Sequence, residues 1–165
     1  MSKGIDKPID ACVLNLLAKL YPSNTRQFLG RVFREQSNGK IKPIYYTSSD
    51  QYIDCLKNDS IDAQCFFDLQ PITKFNGGIS ECEIWSLWML NLTALYPTLT
   101  RTEATEQAQY DIGRLLTHPS FEITRIVRDF EGFKGYDFSD IDVSSFSPHY
   151  LLRFDLKLFY PNTNC

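Results

Sequence analysis

"ECEIWSLWMLNLTALY", residues 81–96, is apolar on both of its alternating rows. Cys82, Ile84, Trp88, Leu90 and Leu92 fall on one row, with Ser86 among them; Trp85, Leu87 and Met89 fall on the other. A strand with one wet face alternates apolar with polar residues. A strand apolar on both rows is covered on both, by a helix layer or by a neighbouring subunit. Periodicity alone also admits a helix, but the Gly77-Gly78 pair before it and its aromatic residues favour a strand. It is read as the centre of the fold.

On its N-terminal side, "DSIDAQCFFDL" (59–69) sets Ile61, Ala63, Cys65 and Phe67 against Asp62, Gln64 and Asp68, the pattern of a half-buried strand. "QPITKFNGGIS" (70–80) reads as a loop punctuated by Pro71 and the glycine pair. Ser48 with Gln51 has the spacing of a capping box and predicts a short helix over "SDQYIDCLKN", with Tyr52, Ile53 and Leu56 as its buried stripe. Asn38-Gly39 is a strong turn signal, because both residues tolerate positive φ. Phe28–Arg34 and Lys40–Tyr46 are expected to pair around it, in a projecting hairpin (28–46) that carries Arg31, Arg34, Lys40 and Lys42. Pro43 lacks an N–H, so the second arm is expected at an edge or as an irregular strand. At the start, Ile9, Val13, Leu16, Leu17 and Leu20 mark one face of a helix from Lys7 to Leu20, with Asp6 as its cap and Pro8 tolerated in its first turn.

On the C-terminal side, Thr100 and Glu103 form a capping box for a main helix with Ala104, Ala108, Ile112, Leu115 and Leu116 on one face and Pro119 as its stop. "FEITRIVRDFEG" (121–132) reads as a strand. "FKGYDFSDIDVSSFSP" (133–148) is a long loop that sets Phe133, Tyr136, Phe138, Ile141, Val143 and Phe146 beside Asp137, Asp140 and Asp142. Loops of that length are commonly functional or interfacial. So many large apolar groups either pack back on the domain or cover a neighbour. The final strand sets Tyr150, Leu152, Phe154, Leu156, Leu158 and Tyr160 against Leu151, Arg153, Asp155 and Lys157. A strand at that place holds only by pairing within the sheet or with another chain. The whole reads as one domain, 1–165. It is of the α+β class: a mostly antiparallel β-sheet with two helices packed on one face, plus a projecting β-hairpin and a long loop.

Composition narrows the function classes. Of 165 residues, 43 % are hydrophobic and 22 % charged, ordinary values for a globular chain. Twelve Phe, nine Tyr and two Trp give an aromatic share of 14 %, enough for a core with rings left for a partner surface. A net charge of −3 argues against a basic nucleic-acid footprint and against adhesion to anionic lipid. The opening residues have no apolar core of a signal peptide, and no run is long enough to span a membrane. Cys12, Cys55, Cys65, Cys82 and Cys165 include no C-x-x-C pair and are odd in number, which disfavours a disulfide scaffold and a zinc site. Cys12, Cys65 and Cys82 read as small buried hydrophobes in a reducing compartment.

Catalytic motifs are sparse. Asp62, Asp68, Glu81 and Glu83 are the carboxylates from which a metal-dependent nuclease or hydrolase would build its site, yet alternating carboxylates are also the ordinary wet face of a strand. His118 and His149 have no cysteine or serine in a recognisable local motif. No phosphate-binding glycine loop is present. Arg125, Arg128, Arg153 and Lys157 read as sheet-surface charge paired with Asp129, Glu131 and Asp155.

The order of segments carries a resemblance. A leading helix runs into "GRVFREQSNGKIKPIYY". The strands "DSIDAQCFFDL" and "CEIWSLWMLNLTALYP" follow, then the helix "TRTEATEQAQYDI", then "FEITRIVRDF", and an aromatic and acidic loop before a strand ending "FYPNTNC". Over nearly the whole chain this resembles the neck and tail-completion proteins of tailed bacteriophages, of tail-terminator and head–tail connector type, and most of all the ring proteins of the crAss-like phage group. The resemblance implies a structural virion subunit, made in the host cytoplasm and located in the neck or tail. It forms a homo-oligomeric ring, a hexamer or dodecamer, that joins the portal to adjacent neck and tail ring proteins. Double-stranded DNA passes through without specific binding, and no membrane, cofactor, metal or catalytic residue is implied. A ring closes by heterologous contacts between unlike patches. The candidates are Arg31, Arg34, Lys40 and Lys42 on the hairpin, Phe133, Tyr136, Phe138, Ile141 and Phe146 in the loop region 131–147, and Phe159 with Tyr160 at the end. The rival readings are the metal-dependent hydrolase named above and a soluble adaptor that binds a host protein through residues 133–146.

Overall fold

A computed structural model of the chain describes residues 4–48, 51–56, 61–117, 121–138 and 149–161. The elements in order are α1 (Asp6–Lys19), β1 (Arg26–Arg31), β2 (Phe33–Ser37), β3 (Lys40–Ser48), β4 (Gln51–Asp54), β5 (Ala63–Asn76), β6 (Ile79–Asn91), a one-turn α2 (Leu92–Leu95), α3 (Arg101–Leu116), β7 (Phe121–Arg128), a 3-10 turn (Asp129–Phe133) and β8 (His149–Pro161). They form a five-stranded sheet in the order β1-β5-β6-β8-β7 and a three-stranded sheet in the order β2-β3-β4. All pairings are antiparallel except β1 with β5. The expected α+β class is therefore the observed one.

β6 lies in the middle of the large sheet and is buried on both faces, as its two apolar rows require. Ile84, Trp88 and Leu90 face α1 and α3, meeting Ile9, Cys12 and Leu16 of the first helix and Ala108, Ile112 and Leu116 of the second. Leu87 and Met89 face the other way, into a second core with Phe66, Leu151 and Val32 that the small sheet covers. The molecule is thus three layers deep: helices, large sheet, small sheet. β8 is no frayed end. It pairs with β6 along its whole length and with β7 on its other side. Its row Tyr150, Leu152, Phe154, Leu156 and Leu158 lies under the helices.

The Thr100–Glu103 capping box is present in both directions, the Thr100 hydroxyl accepting from Glu103 N and the Glu103 carboxylate from Thr100 N. α1 begins differently. Ile5 is its cap residue with no side-chain bond, and Asp6 lies inside the helix, where it pairs with Arg31 at 2.8 Å.

Five local expectations are corrected. The first arm of the hairpin is divided: Arg26–Arg31 joins the large sheet beside β5, and only Phe33–Ser37 pairs across the Asn38-Gly39 turn. Val32 is the joint; its N–H still bonds Phe67 O while the chain leaves for the small sheet. The helix expected over 49–58 is absent from its described part, where Gln51–Asp54 is strand β4. β3 is therefore central in its sheet, with Pro43 inside it. Pro43 is tolerated because its carbonyl points toward β4, accepting from Cys55 N, and its ring nitrogen faces the same side, just past the last laddered residue Asp54. The supposed loop 70–80 is strand on both sides of a Gly77-Gly78 turn, both glycines at positive φ, and Pro71 falls where the β5–β6 register shifts. Finally, β5 is buried on both faces over residues 63–68, not on one, because the small sheet covers its second row there.

Candidate functional site

Where the small sheet meets the large one, the strands bring an unusual set of side chains together. In register, Asp68 of β5 lies opposite Trp85 of β6, and Trp85 opposite Asp155 of β8, so the three form one row across the sheet. Arg153, two residues before Asp155 on the same face, grips that carboxylate with two bonds of 2.7 and 3.1 Å. Its guanidinium lies over the Trp85 ring, 3.7 Å from the centroid, and Nη1 donates to Gly132 O at 3.2 Å. Gly132 has no side chain for a reason: a Cβ there would lie 2.9 Å from the Arg153 Cβ.

Asp68, 1 % exposed, uses one oxygen to accept from Arg34 Nε at 2.8 Å and the other to accept from the Tyr136 hydroxyl. Burial, then the facing Asp68 carboxylate, push the Tyr136 phenol well up from its ordinary value. Two arginines and two aspartates balance, and their bonds cross from β2 and the 3-10 region to β5 and β8. Among the described residues no buried side-chain nitrogen or oxygen lacks a partner. The Arg153–Asp155 pair is dry on both sides and Asp68 is buried, so these pairs contribute little net stability, but removing an arginine strands a buried carboxylate. The arrangement therefore fixes how the layers sit on one another.

The candidate residues are dispersed by the fold. Arg31 sits on β1 and pairs with Asp6; Lys42 pairs with Asp54 at 3.8 Å; Lys40 is exposed beside the turn. Arg34 reaches onto Asp68 with its Nε, while part of its side chain stays in water. Phe133 and Tyr136 are buried in the second core and Phe138 packs against it, which resolves that part of the loop as packed back on the domain. Phe159 is partly exposed on β8. Ile141 and Phe146 lie outside the described residues, as do Val143, Asp140, Asp142, His118, Pro119 and Cys165, and the Tyr160 side chain is not described. Arg153 and Asp155 do pair, but buried rather than on the surface.

The four carboxylates of the hydrolase reading do not converge. Asp62 accepts from Asn91 Nδ2, Asp68 from Arg34 and Tyr136, and Glu83 from Trp85 Nε1, while Glu81 pairs with Lys157. Among the described residues no three His, Cys, Asp or Glu side chains are placed to hold a metal ion. Cys12, Cys55, Cys65 and Cys82 are buried and outside any disulfide. Burial pushes Cys12 and Cys55 up to about 12, which keeps them protonated and inert at neutral pH. Among the described residues no helix is long and apolar enough to cross a membrane.

Of the exposed rings, sequence reading named Phe159 but missed Phe33 and Tyr46. Phe33 and Tyr46 lie edge to face, 5.3 Å between centroids, on the outer face of the small sheet, and each is about half exposed at 49 % and 48 %. Arg31 lies over the Phe33 ring. Alternation was the available signal: once Arg34 and Tyr45 point inward, their neighbours Phe33 and Tyr46 must point out. A second exposed pair, Ile79 and Phe159, stands diagonally across β6 and β8 at the far end of the large sheet.

No protein-family model matches this chain, and no curated protein matches it.

Proposed function

We propose that this chain is a structural virion subunit of a tailed bacteriophage, a ring-forming tail terminator or head–tail connector that joins portal to tail around the DNA channel. The observation that carries the reading is the Phe33–Tyr46 pair, two large rings packed edge to face on an outward sheet face with about half of each in water. Aromatic groups presented this way are the usual anchors of protein–protein contacts. Ring closure needs a second, unlike patch, and Ile79 with Phe159 supplies it on another part of the surface. The net charge of −3 suits a channel wall past which DNA slides without being gripped.

Light scattering and negative-stain imaging of the purified protein, alone and with a portal complex, test this. The expected result is closed rings in at least one of the two conditions, lost in Phe33→Ser/Tyr46→Ser while the circular dichroism spectrum is kept. A protein that stays a single copy in both conditions overturns the proposal.

A further inference from the structure

Asp68 receives two donors from parts of the chain that are far apart in sequence. Arg34 comes from the small sheet, and Tyr136 from the segment 129–138 that follows β7. These two elements are also tied to each other. Ile41 N donates to Gly135 O at 2.8 Å, and Asp137 N donates to Ile41 O at 2.7 Å, a parallel bridge on the side of β3 that β4 leaves free. The contacts close a triangle: small sheet to segment through backbone, and each of them to the large sheet through the same carboxylate. A further polar tie between segment and large sheet is the Arg153 bond to Gly132 O.

We infer that Asp68 is a latch. The small sheet and the 129–138 strap form a single lid over the second face of the large sheet, and both are locked down by the two oxygens of this one side chain. The lid opens as a unit, and releasing either donor loosens both elements. This inference is independent of the ring proposal, since it concerns motion within one copy.

Hydrogen–deuterium exchange read by peptide tests it in the full-length protein, with Tyr136→Phe, Arg34→Met and the double variant. Removing one bond to a buried charged group should speed opening about tenfold. In Tyr136→Phe the faster exchange should appear in residues 33–48 and 51–54 as well as in 129–138. In Arg34→Met it should appear in 129–138 as well as in the small sheet. Peptides from β6 and β8 should keep their protection in both. The double variant should open less than the product of the two single effects, because the donors share one acceptor. Tyr21→Phe is the control: it removes a half-buried hydroxyl bond on the helix side and should leave the lid unchanged. The latch is overturned by acceleration confined to the substituted element, by equal acceleration in β6 and β8, by multiplicative single effects, or by a lid response to Tyr21→Phe.

Discussion

The Trp88 indole N–H donates to the Ser86 hydroxyl, two residues earlier on β6 and 2.8 Å away, inside the apolar layer beneath the helices. That bond explains the single polar interruption in the most apolar row of the sequence. Ser86→Ala should cost about 1–3 kcal/mol by stranding a buried donor. Ser86→Ala/Trp88→Phe should recover part of that loss. Urea denaturation of the two variants measures both. A silent Ser86→Ala would mean the indole finds another acceptor.

Arg153 and Asp155 are 8 % and 6 % exposed and bonded twice. Arg153→Met should destabilise by about 3–5 kcal/mol, because Asp155 is left charged and dry. Arg153→Met/Asp155→Leu should be more stable than the single variant. The comparison is made by thermal or chemical unfolding, and an additive double variant would argue against the buried-pair account.

Phe154 lies fully buried on the middle strand pair, facing the helices. Phe154→Ala should cost about 3–5 kcal/mol, enough to empty much of the folded population of a domain this size. Phe154→Leu should cost markedly less. If both variants unfold at the wild-type urea midpoint, β8 is not part of the core.

Stability should fall at alkaline pH. Burial raises the Cys12 and Cys55 thiols to about 12 and Cys82 to about 11, from an ordinary value of 9.0. Tyr21, Tyr96 and Tyr136 move in the same direction. Above the unfolded value the unfolded chain releases protons that the folded one retains. The stabilisation is therefore full below about pH 9 and is lost as pH rises through the folded values. Urea midpoints at about pH 8 and about pH 10.5 should differ by roughly 1–2 kcal/mol per buried thiol, and Cys12→Ala should flatten the slope. A midpoint that holds or rises over this range contradicts the assignment.

Patterns confined to one element were legible. Both rows of β6, the helical stripe and cap of α3, and the alternation of β8 are written in neighbouring residues, and the fold class followed from them. What depends on a distant layer was not. Asp68 and Arg153 stand on polar rows that look wet; a second sheet, recruited from residues 33–54, and the segment after β7 bury them, with Arg34 reaching in from that sheet to pair with Asp68. The Ser48–Gln51 spacing fits a capping box, yet the segment pairs with β3, because strand pairing there overrides a weak local signal. Pro71 looked like a loop marker, and the register shift beside it is what lets the strand continue. The exposed rings at 33 and 46 were hidden for the same reason as Arg34: which row faces out depends on what covers the other.

The place of β8 between β6 and β7 also governs how the molecule is made. β5 and β6 are joined by a tight turn and can zip together as they leave the ribosome, whereas Cys82 meets Leu158 only 76 positions later. At about 5–20 residues per second, the apolar edge of β6 waits on the order of several seconds for its mate. During translation that bare edge is the vulnerable part of the nascent chain, and a chaperone acting there would guard it against pairing with the wrong strand.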